Sequence, residues 1–256
     1  MSRTSPDSPT VHAPMNRSTT TALGLFLAAT CAFAAGPDSF PDPRDSSLAP
    51  SQRLEALLDR MRFEHERLAT LEAEFVQHKK SVMLLEPSRS SGVFSYAAPN
   101  QVRWEYLDPN PISLLITDDE MMIWYRDLER AERAGVGKQS QRILEYMGAS
   151  ASMDKLLRYF SVSLRVPESV LDPYVLRLSP RYERVAKRIQ ELETWIDSKS
   201  FLPLRLRYVE GDGDVTEYEF SNLRINEALP EGRFELDIPE SVQVRGVQFD
   251  PPGRGH

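Results

Sequence analysis

From Gly92 to Tyr106 the chain carries two runs of alternating large apolar and polar side chains around an Ala98–Pro99–Asn100 turn. A period of two belongs to a strand with one buried face, and two such runs across a short turn predict a β-hairpin. Phe94 and Tyr96 fall on one face of its first strand. Val102, Trp104 and Tyr106 fall on one face of its second. Rings of this size on one side of a sheet need a cover, which is a second sheet, a helix or a removable apolar ligand.

The same period extends well beyond the hairpin. Leu71, Ala73 and Phe75 alternate with Glu72, Glu74 and Val76 ahead of it. Ile112–Thr117 and Met121–Tyr125 follow it, joined by Asp118–Asp119–Glu120. Further strands are expected at Tyr174–Leu178 and in a second hairpin, where Leu204, Leu206 and Tyr208 face Tyr218 and Phe220 across Gly211–Asp214. Phe234–Pro239 and Val242–Val244 complete the set. Arg181–Asp197 is ambiguous, because Val185, Ile189, Leu192 and Ile196 have helical spacing. Thr194, Trp195 and Ile196 favour a turn followed by a strand from Arg188,. Two or three short helices are expected. One is capped by Ser51, with Leu54, Leu57, Leu58 and Met61 on one stripe, and another spans Met153–Phe160,. Asp127–Gly148, charged and glycine-containing, reads as a mobile loop. A twisted antiparallel sheet of about 10–11 strands has to curl, which predicts a mainly β (α+β) fold: a curved, unclosed barrel with helices over its mouth.

The N-terminus sets the compartment. Ala22–Ala29 is a short apolar run behind Arg17, and Ala32–Phe33–Ala34 is a signal-peptidase site,. Met15 gives a better basic start than Met1. Residues 1–35 are therefore read as a cleaved signal peptide ending near Ala34 or Ala35, 36–50 as a flexible leader, 51–246 as the folded domain and 247–256 as a disordered tail. Cys31, the only cysteine, falls in the signal segment, where lipid attachment is the alternative to cleavage. An exported chain without disulfides fits a bacterial periplasm. A formal net charge of −7 argues against nucleic acid as a partner,.

Catalytic chemistry finds little support. His12, His65, His78 and His256 have no metal-ligand spacing,. Gly148–Ser152 lacks the second glycine of a nucleophile elbow. Gly135–Ser140 resembles a phosphate loop, but Glu132 stands where its first glycine belongs. Asp212 and Asp214 read as turn residues before they read as calcium ligands. No enzyme activity, metal or cofactor is expected. What remains is an accessible apolar surface, with Phe75, Phe94, Tyr96, Trp104, Tyr106, Leu114, Ile116, Met122 and Trp124 as candidate ligand contacts. Leu144, Met147, Leu156, Leu157 and Phe160 are the candidate cover,.

With those residues in view, the chain resembles the LolA-type periplasmic lipoprotein carriers from about Leu54 to Val244. The resemblance rests on Phe75–Val76–Gln77, Gly92, Pro99, Arg103–Trp104–Glu105–Tyr106 with Pro109, and Trp124–Tyr125. It continues in Leu176-x-Leu178-x-Pro180, Leu202–Pro203, Phe220 with Asn222 and Asn226, and Phe234-x-Leu236-x-Ile238–Pro239. It implies an unclosed barrel whose helical lid encloses an apolar cavity. It also implies a monomer that takes lipoprotein from an inner-membrane ABC exporter and passes it to an outer-membrane acceptor. Carriers of another lipid or glycolipid, and envelope sensors on the same fold, are the alternatives. One departure concerns the lid. The family's arginine just before the hairpin proline, which latches the lid, is replaced by Ala97–Ala98, and the usual Ser-Asp-Gly turn by Thr117–Asp118–Asp119.

Overall fold

The computed structural model describes residues 40–83, 86–117, 120–135 and 157–247. They form one 12-stranded sheet in the order β12-β6-β5-β4-β3-β2-β1-β11-β10-β9-β8-β7, curved and open at both edges. Helix α1 is Pro50–Glu66. The strands are β1 Thr70–Lys80, β2 Ser88–Ala97, β3 Gln101–Asp108, β4 Ile112–Ile116, β5 Glu120–Tyr125 and β6 Arg130–Gly135. They continue with β7 Phe160–Arg165, β8 Tyr174–Pro180, β9 Ile189–Ile196, β10 Pro203–Glu210, β11 Val215–Ile225 and β12 Val244–Gly246, with a single-turn helix α2, Glu183–Ala186, between β8 and β9. All neighbours are antiparallel except β12, which lies parallel to β6. The long strand β1 is central, pairing β2 on one side and β11 on the other.

Gly92 shows how sequence sets this packing. In the ladder it lies between Phe75 on β1 and Tyr106 on β3. A Cβ there would come within 1.9 Å of the Glu105 carbonyl oxygen and 2.9 Å of the Phe75 ring. The missing side chain lets the rings of Phe75 and Tyr106 meet edge-on over it, 5.0 Å apart,.

Helix α1 covers one half of the inner face. Its Leu57 and Leu58 pack with Phe160, Tyr174, Leu176, Leu178 and Ile196 from β7, β8 and β9. The helix begins at Pro50 rather than behind a Ser51 cap. Pro50 needs no N–H partner at this position, and the Gln52 side chain accepts from the Ala49 N–H at 2.9 Å,.

Several expectations change. The sheet has 12 strands, one or two more than anticipated. Part of the expected loop is β6, and Phe160, read as the end of a helix, opens β7. Phe234–Pro239 is not a strand. It belongs to a chain of turns between β11 and β12 that crosses the outer face, where Arg103 donates to the carbonyls of Arg233 and Glu235, both at 3.0 Å. From residue 40 on, the expected leader is folded onto the domain. The Phe40 ring packs on Phe63 at 5.1 Å, and the Arg44 guanidinium lies over the Tyr174 ring, 4.5 Å from its centroid.

Candidate functional site

Strand parity sorts the predicted contacts. Across the ladder Phe75 faces Gly92, Phe94 faces Trp104, Trp104 faces Leu114, and Val102 faces Ile116. Directly opposed residues share a face. Phe75, Phe94, Tyr96, Trp104, Tyr106, Leu114 and Ile116 therefore lie together on the inner face. Met122 and Trp124 do not. Met122 opposes Leu115, and Trp124 opposes Ser113 and Ala131, so both belong to the outer face. The run Met121–Tyr125 is apolar at every position and carries no parity signal, and its inner-face residues are Met121, Ile123 and Tyr125,.

The inner residues form one aromatic cluster. The Trp104 ring lies 4.9 Å from Phe75, 4.8 Å from Phe94, 5.3 Å from Tyr218 and 6.0 Å from Phe220. Most of these pairs are tilted or edge-on, the arrangement ring quadrupoles favour. Tyr218 and Phe220 were missed as site residues. They join because β11 pairs with β1, placing Phe220 opposite Phe75 and Tyr218 opposite Gln77. That contact spans more than a hundred residues, and no local pattern encodes it.

One end of the cluster is polar. Gln77 Nε2 donates to the Tyr218 hydroxyl at 2.8 Å, and the Tyr218 and Tyr106 hydroxyls lie 3.3 Å apart. Tyr208 and Thr216 oppose each other beside them. Burial raises the pKa of Tyr106, Tyr208 and Tyr218, so all three remain neutral phenols,. The other end is more apolar, with Val102, Ile116 and Met121 buried and the Tyr96 hydroxyl donating to the Pro99 carbonyl at 3.3 Å.

The expected cover resolves only in part. Phe160 is buried under α1 as the first residue of β7, and Leu157 packs against the same group. Both therefore belong to the helix-covered half. Leu144, Met147 and Leu156 lie outside the described residues.

The outer face is ionic. Glu72 is held by Arg224, by Arg233 at 2.8 Å and by the Ser95 hydroxyl at 3.2 Å. Glu105 meets Arg126 at 2.7 Å, Arg103 at 3.0 Å and Arg233 at 3.8 Å. Burial pushes the Glu105 pKa up, but Arg126 and Arg103 together outweigh burial and hold it below the ordinary value. Arg233 thus pins the crossing chain between two strand carboxylates. The motif residue Asn226 is also structural. It adopts a positive φ of 57° and accepts from the Ala69 N–H at 2.7 Å, tying the end of β11 to the start of β1.

Two surface cavities lie elsewhere. One of about 340 Å³ is walled by Phe40–Arg44, Arg60, Tyr174 and Phe201. Another of about 520 Å³ runs along Glu72–Glu74, Val93 and Asn222–Arg224. Neither is lined by the rings of the aromatic cluster. Among the described residues no group of three or more His, Cys, Asp or Glu side chains is placed to hold a metal.

Comparison with known proteins bears on this arrangement. The outer-membrane lipoprotein carrier protein of Alkalilimnicola ehrlichii is 25% identical over 187 residues, covering 70% of this chain and 79% of that protein. That of Halorhodospira halophila is 29% identical over 168 residues, covering 63% and 71%. Among solved structures, an uncharacterized conserved protein from Thermus thermophilus aligns with 76% of this chain and 99% of its own at a TM-score of 0.49 and 15% identity. The family model described as outer membrane lipoprotein carrier protein LolA matches residues 66–237, from the end of α1 through the chain that crosses the outer face, and the protein belongs to that family.

Proposed function

We propose that this protein is a non-enzymatic periplasmic carrier that binds the acyl chains of lipoproteins against the inner aromatic face of β1–β4 and β11. It would move them from the inner to the outer membrane. The observation that carries the reading is the uneven cover of the sheet. Helix α1 seals β7–β9, while Phe75, Phe94, Trp104, Tyr218 and Phe220 meet one another on the other half of the same face. Each methylene moved from water onto such a surface contributes about 0.8 kcal/mol. Cargo must also be released. Rings that pack on each other when the site is empty give up their contacts as cargo enters, which tempers the affinity. Family membership and the carrier relatives support the same reading.

In this reading residues 1–35 direct export and are removed. Residues around Leu144, Met147 and Leu156 supply the lid, and an inner-membrane exporter and an outer-membrane acceptor are the partners. Native mass spectrometry of protein purified from the periplasm tests the function. A co-purifying acylated peptide is expected. A free glycolipid would reassign the cargo, and ligand-free protein indifferent to long-chain lipids would overturn the carrier reading. N-terminal sequencing tests export, with a start near Ala35 expected and a lipid-blocked Cys31 overturning it.

A further inference from the structure

The donors and acceptors of the aromatic face do not balance. Among the described residues the Trp104 indole N–H is buried and donates to nothing. Next to it on the same strand face, Tyr106 and Tyr218 share one hydrogen bond, and Tyr218 already accepts from Gln77. The Tyr218 hydroxyl also reaches Tyr208, which takes a further bond from Thr216, so the phenols form a short chain that can reorient its hydrogens toward a new acceptor. The site therefore holds one unspent neutral donor, the indole N–H, beside a chain of phenol hydroxyls on the same face. A buried donor without an acceptor is costly. Pure hydrocarbon would leave that cost in place, whereas a ligand carrying uncharged acceptor oxygens would remove it.

We propose that Trp104, Tyr106 and Tyr218, with Gln77 behind them, anchor the ester or amide carbonyls of an acylated ligand. Its chains lie toward Val102 and Ile116, and its polar end leaves past Tyr208 toward the β1–β2 turn. This rests on the carrier reading and adds to it a chemical preference and a direction. The opposite direction would set carbonyls among Val102, Ile116 and Met121, where the neighbouring Tyr96 hydroxyl is already given to the Pro99 carbonyl, and hydrocarbon against phenols and Gln77. The phenols are suited to the task because burial keeps them protonated. They bring no formal charge, so they would not select for an ionised head group.

The test compares two lipids that differ only in their carbonyls, dipalmitoylglycerol and the corresponding dihexadecyl glycerol ether. Each is titrated against an apolar dye bound to the delipidated full-length protein. The parent should bind the diester about tenfold more tightly than the diether, the scale of one or two neutral hydrogen bonds. Trp104→Phe and Tyr106→Phe should each reduce that ratio about threefold, and both together should bring it near one. Leu114→Ala should weaken both lipids equally. Should Trp104→Phe fail to fold, Tyr106→Phe and Tyr218→Phe, which remove only an oxygen, carry the same comparison. Equal affinity of the parent for diester and diether, or variants that leave the ratio unchanged, would overturn the anchor while leaving the carrier reading intact. Failure of the parent to bind either lipid would overturn both.

Discussion

The two halves of the inner face are built from the same strand pattern and closed in different ways. Over β7–β9, α1 inserts Leu57 among Phe160, Tyr174 and Ile196, and all four are essentially inaccessible. Over β1–β4 and β11, the side chains are larger and more aromatic and are satisfied by each other. Several of them, Leu114, Tyr106, Tyr218 and Phe220, are only partly buried. A helix of aliphatic side chains makes a joint that opens only when the protein unfolds. Rings on a curved sheet make a surface that can exchange one set of apolar contacts for another. In the proposed carrier this difference separates the part of the molecule that maintains the fold from the part that would receive cargo.

That separation is breakable. Gly92→Ala should have the largest effect, because the new Cβ meets the Glu105 carbonyl and the Phe75 ring. Relief requires the β2–β3 ladder to part, and a loss of about 3 kcal/mol or more in chemical denaturation is expected. Leu57→Ala, in the helix-covered half, should cost roughly 3 kcal/mol as a cavity. It should leave the dye affinity of the folded protein unchanged. A Leu57→Ala protein whose dye affinity falls along with its stability would show that the two halves are not separate.

The outer face sharpens the comparison, since it holds the aromatic half from behind. Arg233→Met should cost about 2 kcal/mol, because Glu72 loses a charged partner at 2.8 Å and the crossing chain loses its pin,. The pH dependence follows from the lowered pKa of Glu105. A carboxylate held below its unfolded value stabilises fully above that value. The contribution is lost as pH falls through the folded pKa, so stability should decline below about pH 4.5. Glu105→Gln should flatten that decline. An unchanged acid limb would place the sensitive carboxylate elsewhere.

What the sequence revealed depended on where the information lies. The Gly92–Tyr106 hairpin was legible because alternation and turn are local, and its inner residues sit where parity put them. Strand β6 was not, because Arg130, Glu132 and Arg133 resemble a solvated loop. Their charges are answered within the sheet, Arg133 by Glu120 at 3.1 Å and Arg130 by Glu132 at 3.3 Å. Phe160, Val162 and Leu164 alternate plainly, but reading Phe160 as the last turn of a helix hid the start of β7. Phe234, Leu236 and Ile238 alternate equally well and form no ladder, because a period of two also suits an extended chain laid across a face. Within the site, aromatic content was readable, but the face was not. Trp124 was grouped with Trp104 by residue type, and only the register, with Ser113 opposite Trp124, separates them.

The smallest expected effect concerns the turn where the chain departs from its family. Ala98 is exposed, and its N–H donates to the Ala69 carbonyl at 2.8 Å, so the β2–β3 turn lies against the link from α1 to β1. The same end of the aromatic half is where His65 of α1 stacks on Tyr96, at 6.4 Å. The resemblance supplies an arginine here that would latch the lid by charge-assisted bonds to carbonyls. Each such bond contributes about 1.5–3 kcal/mol when formed. In the proposed carrier, closure without it would rest on apolar contacts alone and the binding-competent state would be more populated. Ala98→Arg should therefore shift the equilibrium toward closure and slow dye entry roughly tenfold. The unfolding midpoint should barely change, because the position is exposed. The slowing should diminish at high salt, since part of the new bond is electrostatic. Stopped-flow dye binding in the two proteins at low and high salt decides the matter. Equal entry rates would mean that the turn does not reach the lid, and that the aromatic half is kept closed by its rings rather than by any latch at this corner.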